Sequence, residues 1–208
     1  IKGTPTLSGV IYGGGAGLSA YPNMAKVTGK TNINLYASTN VNIYGGGNIA
    51  ITETETEINI LSGTHTQNIY GGGNVGVVNG STKVNLKGGT CSDIYGGGNQ
   101  ATVTTSNVNL NSGTATNVYG GGNRAAATAS TNITLDGANV ESIMGGSNLA
   151  GDNPESNITI KSGNATAVYG GNNQGGSTNV SNILMQNGTV GSIFGGGNQA
   201  NSTTTHVT

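Results

Sequence analysis

Short runs in which apolar and polar residues alternate recur along the whole chain. Thr31-Asn32-Ile33-Asn34-Leu35, Thr82-Lys83-Val84-Asn85-Leu86, Ser106-Asn107-Val108-Asn109-Leu110, Thr131-Asn132-Ile133-Thr134-Leu135 and Ser156-Asn157-Ile158-Thr159-Ile160 share one pattern. Each reads Ser or Thr, polar, Ile or Val, polar, large aliphatic. A period of two with β-branched residues on one face predicts a half-buried strand. A turn follows, as at Ser112-Gly113-Thr114 and Asn187-Gly188-Thr189. Ten residues after the Ile or Val comes a second motif: Ile or Val, an aromatic or Met, Gly-Gly, a small residue and usually Asn.

The second motif occurs eight times. Its aromatic-or-Met positions are Tyr12, Tyr44, Tyr70, Tyr95, Tyr119, Met144, Tyr169 and Phe194. After a first step of 32 residues, the spacing is 24 to 26 residues throughout. Such a unit cannot bury its own apolar face, whereas stacked units can. The pattern therefore predicts an all-β, parallel β-helix solenoid of about eight coils with roughly 25 residues each, forming one repeat region over residues 1–208. The period is a poor multiple of six, which favours the right-handed form over the hexapeptide-based left-handed one. Propeller blades generally take about 40 residues or more.

Stacking places like over like. One predicted inner column runs Ile33, Ile58, Val84, Val108, Ile133, Ile158, Ile183. A second runs Leu35, Ile60, Leu86, Leu110, Leu135, Ile160, Met185. A third runs Ile43, Ile69, Ile94, Val118, Ile143, Val168, Ile193, and a fourth of smaller residues Cys91, Ala115, Val140, Ala165, Val190. Burying each aliphatic contributes about 1.5–3 kcal/mol. The same register pairs Glu57 with Lys83 and Asp136 with Lys161 in adjacent coils. The Gly-Gly-Gly-Asn segment reads as a corner. There Asn tolerates left-handed backbone and bonds the same Asn one coil away. His65, beside the extra residue of its coil, is expected at a surface bulge.

Composition narrows function. Gly, Asn, Thr and Ser together exceed half of the 208 residues, charged residues are 7% and the net charge is −1. No basic footprint exists for phosphate neutralisation, so nucleic acid is not an expected partner. No apolar run reaches the length of a spanning helix, so membrane insertion is not expected. The single Cys91 forms neither an internal disulfide nor a metal cluster, and a small buried residue is its expected role. The Gly-rich segments lack the Lys-Ser/Thr of a phosphate loop. Neutral Asn replaces the carboxylates of calcium-binding rolls, so no cofactor or metal is expected. Glu53, Glu55 and Glu57 read as a solvated strand face. Asp152 and Glu155 read as surface charge beside Pro154 rather than a catalytic pair.

Two features carry candidate binding chemistry. Tyr44, Tyr70, Tyr95, Tyr119 and Tyr169 form a ladder that either stacks over glycines or presents an exposed strip for sugar rings. Outer columns of Asn32, Asn107, Asn132, Asn157 and Asn182, and of Asn34, Asn59, Asn85, Asn109, Thr134 and Thr159, form a neutral surface. A water-ordering surface of the ice-binding kind is a lesser reading of the same columns.

The repeat at Gly88-Gly89-Thr90-Cys91-Ser92-Asp93-Ile94-Tyr95-Gly96-Gly97-Gly98-Asn99 resembles the β-helical repeats of large secreted or surface-anchored bacterial proteins, including adhesins and autotransporter-like passengers. The departures are Ala16 for Asn, Ser147 and Asn172 for the third Gly, and the insertion Gly17 to Lys30. The resemblance implies a stalk or adhesive surface outside the cell, with glycans or a host surface as partner, and supplies no catalytic motif. A non-enzymatic role is expected. The alternatives are end-to-end filament assembly and a polysaccharide-active β-helix. Thr205 to Thr208 reads as the first strand of a further coil and Ile1 to Gly9 as the close of a preceding one. On that reading the chain is a piece of a longer array or stacks end to end.

Overall fold

The computed structural model describes residues 1–3, 5–21 and 23–208. Thirteen strands join one parallel sheet that winds on itself, and among the described residues there is no α-helix. The eight motif copies bound about seven turns of a β-solenoid with about 25 residues per turn. The alternation read from the sequence is the cause. In Thr31–Leu35 burial strictly alternates, with Thr31, Ile33 and Leu35 inside. In the middle turns the strands lengthen to Val78–Tyr95, Val103–Tyr119, Ala127–Met144 and Asn153–Tyr169, which pass through several faces of the coil without interruption.

All four predicted inner columns are in register. Ile33 lies on Ile58, then Val84, Val108, Ile133, Ile158 and Ile183. The Leu35 and Ile43 columns follow the same rungs, and together they form one continuous core. Cys91 sits under Ala115, Val140, Ala165 and Val190, and is 1% exposed. Burial pushes its thiol up to about 12.

A seven-fold repeated bond ties the coil across its interior. The hydroxyls of Thr31, Thr56, Thr82, Thr131 and Ser181 donate to the carbonyls of Gly45, Gly71, Gly96, Gly145 and Gly195 at 2.5–2.6 Å. Ser106 and Ser156 do the same to Gly120 and Gly170. The Ser/Thr that opens each strand motif is thus buried and fixes the strand to the opposite corner. A buried carbonyl left unpaired is costly, which gives that position its hydroxyl.

The glycine corners depart from expectation in one respect. Neither the motif glycines nor their Asn is left-handed; among the described residues Ala25 is the one non-glycine with positive φ. The reason for glycine there is crowding. A Cβ on Gly96 would strike the carbonyl oxygen of Gly120 in the next coil, and Gly45, Gly71, Gly120, Gly145 and Gly170 are placed likewise. Positive φ belongs to a different series, the turn glycines Gly63, Gly89, Gly113, Gly137, Gly163 and Gly188.

Ser147 and Asn172, which replace the third glycine of the motif, are both fully buried. In the earlier coils the space behind that corner holds an apolar column, Val78, Val103 and Ala127. In the next two coils that column becomes Asn153 and Thr178. The Asn172 Oδ1 accepts from the Asn153 amide at 2.8 Å, from the Thr178 hydroxyl at 2.9 Å and from the Ser147 backbone N–H at 2.9 Å. Its Nδ2 donates to the carbonyls of Gly151 at 2.8 Å and Gly175 at 2.9 Å. The polar substitutions come as a matched set, so every group of the Asn172 amide is satisfied.

Two register expectations are corrected. Asp136 lies opposite Ser162, not Lys161, and accepts its hydroxyl at 3.0 Å. The left-handed turn glycine comes one residue earlier in that coil, at Gly137 against Gly163, and the ladder bulges there. His65 is not at a surface bulge. It lies in the inner column between Thr39 and Cys91, 1% exposed. The extra residue falls after it, within Thr66 to Asn68.

Candidate functional site

Five of the aromatic rings form an unbroken stack. Tyr12, Tyr44, Tyr70, Tyr95 and Tyr119 have successive centroids 5.1, 4.8, 4.7 and 4.6 Å apart and interplanar angles of 4–16°. Met144 continues the column, and Tyr169 stacks on Phe194 at 4.9 Å. Tyr44, Tyr70, Tyr95 and Tyr119 are each 3–5% exposed, and Tyr169 is half-buried. The exposed strip allowed by the sequence is therefore corrected for Tyr44, Tyr70, Tyr95 and Tyr119, whose rings are buried against their neighbours in the column. Burial raises the Tyr95 hydroxyl far above the ordinary phenol range, with a smaller push from Asp93. The same two causes push Tyr119 up to about 12.

Beside the tyrosines runs a complete asparagine ladder. The amides of Asn74, Asn99, Asn123, Asn148, Asn173 and Asn198 each donate to the Oδ1 of the Asn one coil back, beginning at Asn48, over 2.8–3.1 Å. The outer columns are tied too. Asn59, Asn85 and Asn109 donate in sequence from Asn34 onward at 2.8–3.1 Å. Asn182 donates to Asn157 at 2.9 Å and Asn157 to Asn132 at 3.3 Å.

The charged residues are similarly engaged. Lys26 and Lys30, both from the insertion, serve as counter-ions for the strand-face glutamates. Lys26 lies 3.1 Å from Glu53, and Lys30 lies 2.7 Å from Glu55 and 2.6 Å from Glu57. Glu57 stands opposite Lys83 in register, as the sequence predicts, yet its close partner is Lys30. The hydrogen bond from Lys30 is the main reason that the Glu57 carboxyl sits below its ordinary value. Asp152 accepts from Ser177 at 2.9 Å and Glu155 from Asn182 at 3.1 Å, so each acid is bonded to its own donor in the strand Ser177–Met185 of the next coil.

One face differs. Between the Leu35 and Ile43 columns the chain presents two parallel rows of exposed polar side chains. The first row holds Ser38, Thr64, Thr90, Thr114, Asn139, Asn164 and Thr189, and the second includes Asn40, Thr66, Thr116, Glu141 and Thr166. Register pairs the members of the first row coil by coil from Thr64 to Thr189. Between the rows the inward residues are small: Cys91, Ala115, Val140 and Ala165. The surface is consequently concave. A groove of about 440 Å³ follows Thr90 to Thr189, and another of about 290 Å³ lies farther along the same face at Ser38, Asn40, Thr64 and Thr66. Glu141 is the one acid or base lining either.

Within the first row, Thr114 donates to Thr90 at 3.1 Å and Asn164 to Asn139 at 2.6 Å. The second-row hydroxyls of Thr66, Thr116 and Thr166 make no side-chain hydrogen bond among the described residues. Thr and Asn side chains thus line a trough parallel to the solenoid axis, with Glu141 as its one charge. The sequence carried a signal for it in Thr64-x-Thr66, Thr90-x-Ser92, Thr114-x-Thr116 and Asn164-x-Thr166. It was obscured because these pairs follow the turn glycine and resemble loop composition. No protein-family model, curated protein or solved structure matches the chain. Among the described residues no helix is long and apolar enough to cross a membrane.

Proposed function

We propose that this chain is a non-enzymatic structural and adhesive β-solenoid of a secreted or cell-surface protein, and that its lateral Thr/Asn groove binds a neutral, polyhydroxylated chain such as a glycan. The observation that carries the reading is the contrast between faces. Elsewhere the outer amides bond to one another, while the groove leaves hydroxyls open to solvent along most of the rod. Sugars combine C–H surfaces with hydroxyl donors and acceptors, which suits a trough of Thr methyls and hydroxyls. The near absence of charge disfavours polyuronates and nucleic acids. The resemblance of the repeat to bacterial adhesin and passenger repeats supports a place outside the cell.

Affinity electrophoresis in neutral polysaccharides and in a polyuronate tests this. Retardation by a neutral polymer, lost in Thr116→Lys with Thr166→Lys and kept in Tyr95→Phe, is the expected result. Both Thr side chains are exposed, so the double variant keeps the fold. Retention of binding in the Lys variant, preference for the polyuronate, or depolymerisation of the glycan overturns the reading.

A further inference from the structure

Three Asx-Gly pairs occur in strand or turn positions: Asn79-Gly80, Asp136-Gly137 and Asn187-Gly188. Such pairs are where a backbone nitrogen can reach a side-chain carbonyl carbon, since glycine puts no side chain in the way. The sequence treats the two Asn-Gly pairs alike, and the fold does not. Asn79 lies within the strand Val78–Tyr95; its backbone N–H donates to Thr52 and its amide to Glu53, both at 2.9 Å. A Cβ on Gly80 would strike the Thr54 carbonyl, so the backbone there is pressed against the preceding coil. Asp136 accepts the Ser162 hydroxyl at 3.0 Å.

Asn187 is exposed in the turn between Ser177–Met185 and Thr189–Phe194. Among the described residues its side chain makes no hydrogen bond, and its backbone N–H makes one long bond of 3.3 Å to Ile160. Gly188 has φ +101°, and its N–H has no partner among the described residues.

We propose that Asn187 is a self-modifying site, which cyclises onto Gly188 and opens to aspartate or isoaspartate. The Gly188 nitrogen gives its proton to water and attacks the Asn187 Cγ. The new N–C bond closes a five-membered imide while the Cγ–Nδ2 bond breaks and ammonia leaves. Water then adds to one of the two imide carbonyls. Opening at one restores the backbone with an aspartate side chain; opening at the other routes the backbone through the side chain. Overall, water enters and ammonia departs, with no redox change. Either product places a carboxylate two residues before Thr189, at the end of the groove. The isoaspartate product also lengthens the turn by one methylene, which shifts Thr189 against Asn164.

The test incubates the folded protein at mildly alkaline pH and follows each Asn-Gly peptide by mass spectrometry and by enzymatic methyl labelling of isoaspartate. Asn187 should convert at least about tenfold faster than Asn79, because Asn79 must first break two hydrogen bonds. In denaturant the two rates should converge. Asn187→Ser should remove the label while leaving the melting temperature in place, since Ser62, Ser112 and Ser162 precede the turn glycine in other coils. Equal rates in the folded protein, or an unmodified Asn187, overturn the proposal.

Discussion

The Nδ1 of His65 lies 2.9 Å from the Thr39 hydroxyl inside the coil, and its Nε2 lies 3.1 Å from the Ser62 carbonyl. The carbonyl accepts only, so Nε2 carries a proton, and in the neutral ring Nδ1 accepts from Thr39. Burial disfavours the imidazolium, which leaves the neutral ring as the favoured form. Its inner-column neighbour in the next coil, Cys91, is held as a neutral thiol and supplies no counter-charge.

Burial lowers the His65 pKa from its ordinary 6.5, opposed weakly by the bond to Ser62. The sign follows directly. The unfolded chain binds a proton that the folded chain refuses, so stability is complete above about pH 6.5 and falls as the pH drops toward the lowered folded value. The steepest slope for one proton is about 1.4 kcal/mol per pH unit. Urea titrations between about pH 6.5 and pH 5 should show this loss and lack it in His65→Val, a residue its column already uses at Val140 and Val190. Parallel pH curves for the two proteins would refute the placement.

Asn99 occupies the middle of the asparagine ladder, donating to Asn74 at 2.8 Å and accepting from Asn123 at 2.9 Å. Asn99→Ala leaves a partner unpaired on each side and should cost about 1–3 kcal/mol. Asn198→Ala, at the ladder's last rung, breaks one bond and should cost about 1 kcal/mol. Equal losses in chemical denaturation would mean that the second bond of the middle rung contributes nothing.

Gly96 has ordinary backbone angles, so conformational preference alone would tolerate alanine there. Its Cβ would nevertheless meet the Gly120 carbonyl oxygen and the Ser106 and Val108 side chains. Gly96→Ala should destabilise by about 1–3 kcal/mol or more through overpacking. Gly29→Ala, with nothing within 4 Å of the added carbon, should stay within about 0.5 kcal/mol. Thermal melting of the pair separates crowding from any general intolerance of side chains in this Gly-rich chain.

The stacked architecture and its inner columns were legible because a fixed period turns sequence separation into spatial register. Ile33 and Ile58 needed only counting. Asp136 escaped the count because a left-handed glycine moved by one residue re-pairs the turn while leaving its length unchanged. His65 escaped because a polar side chain beside an irregular spacing suggests the surface. Counting forward from Ile60 instead of backward from Ile69 places it in the Cys91 column. The tyrosine ladder was visible as a ladder, but its orientation depended on the crowded glycines beside it. The groove was hardest to foresee, since Thr64-x-Thr66 and its equivalents carry no apolar mark and lie next to turns.

Asn172 and its partners Asn153 and Thr178 give two coils an identity that the other repeats lack. A chain built from near-identical rungs faces a hazard during folding: a segment that slips by one whole turn still lays isoleucine upon isoleucine. Such a slip would push the Asn172 amide against Val78-like or Ala127-like walls with its oxygen and nitrogen unanswered. The irregular pair of coils thus acts as a registration mark, making one winding of this chain cheaper than its shifted copies.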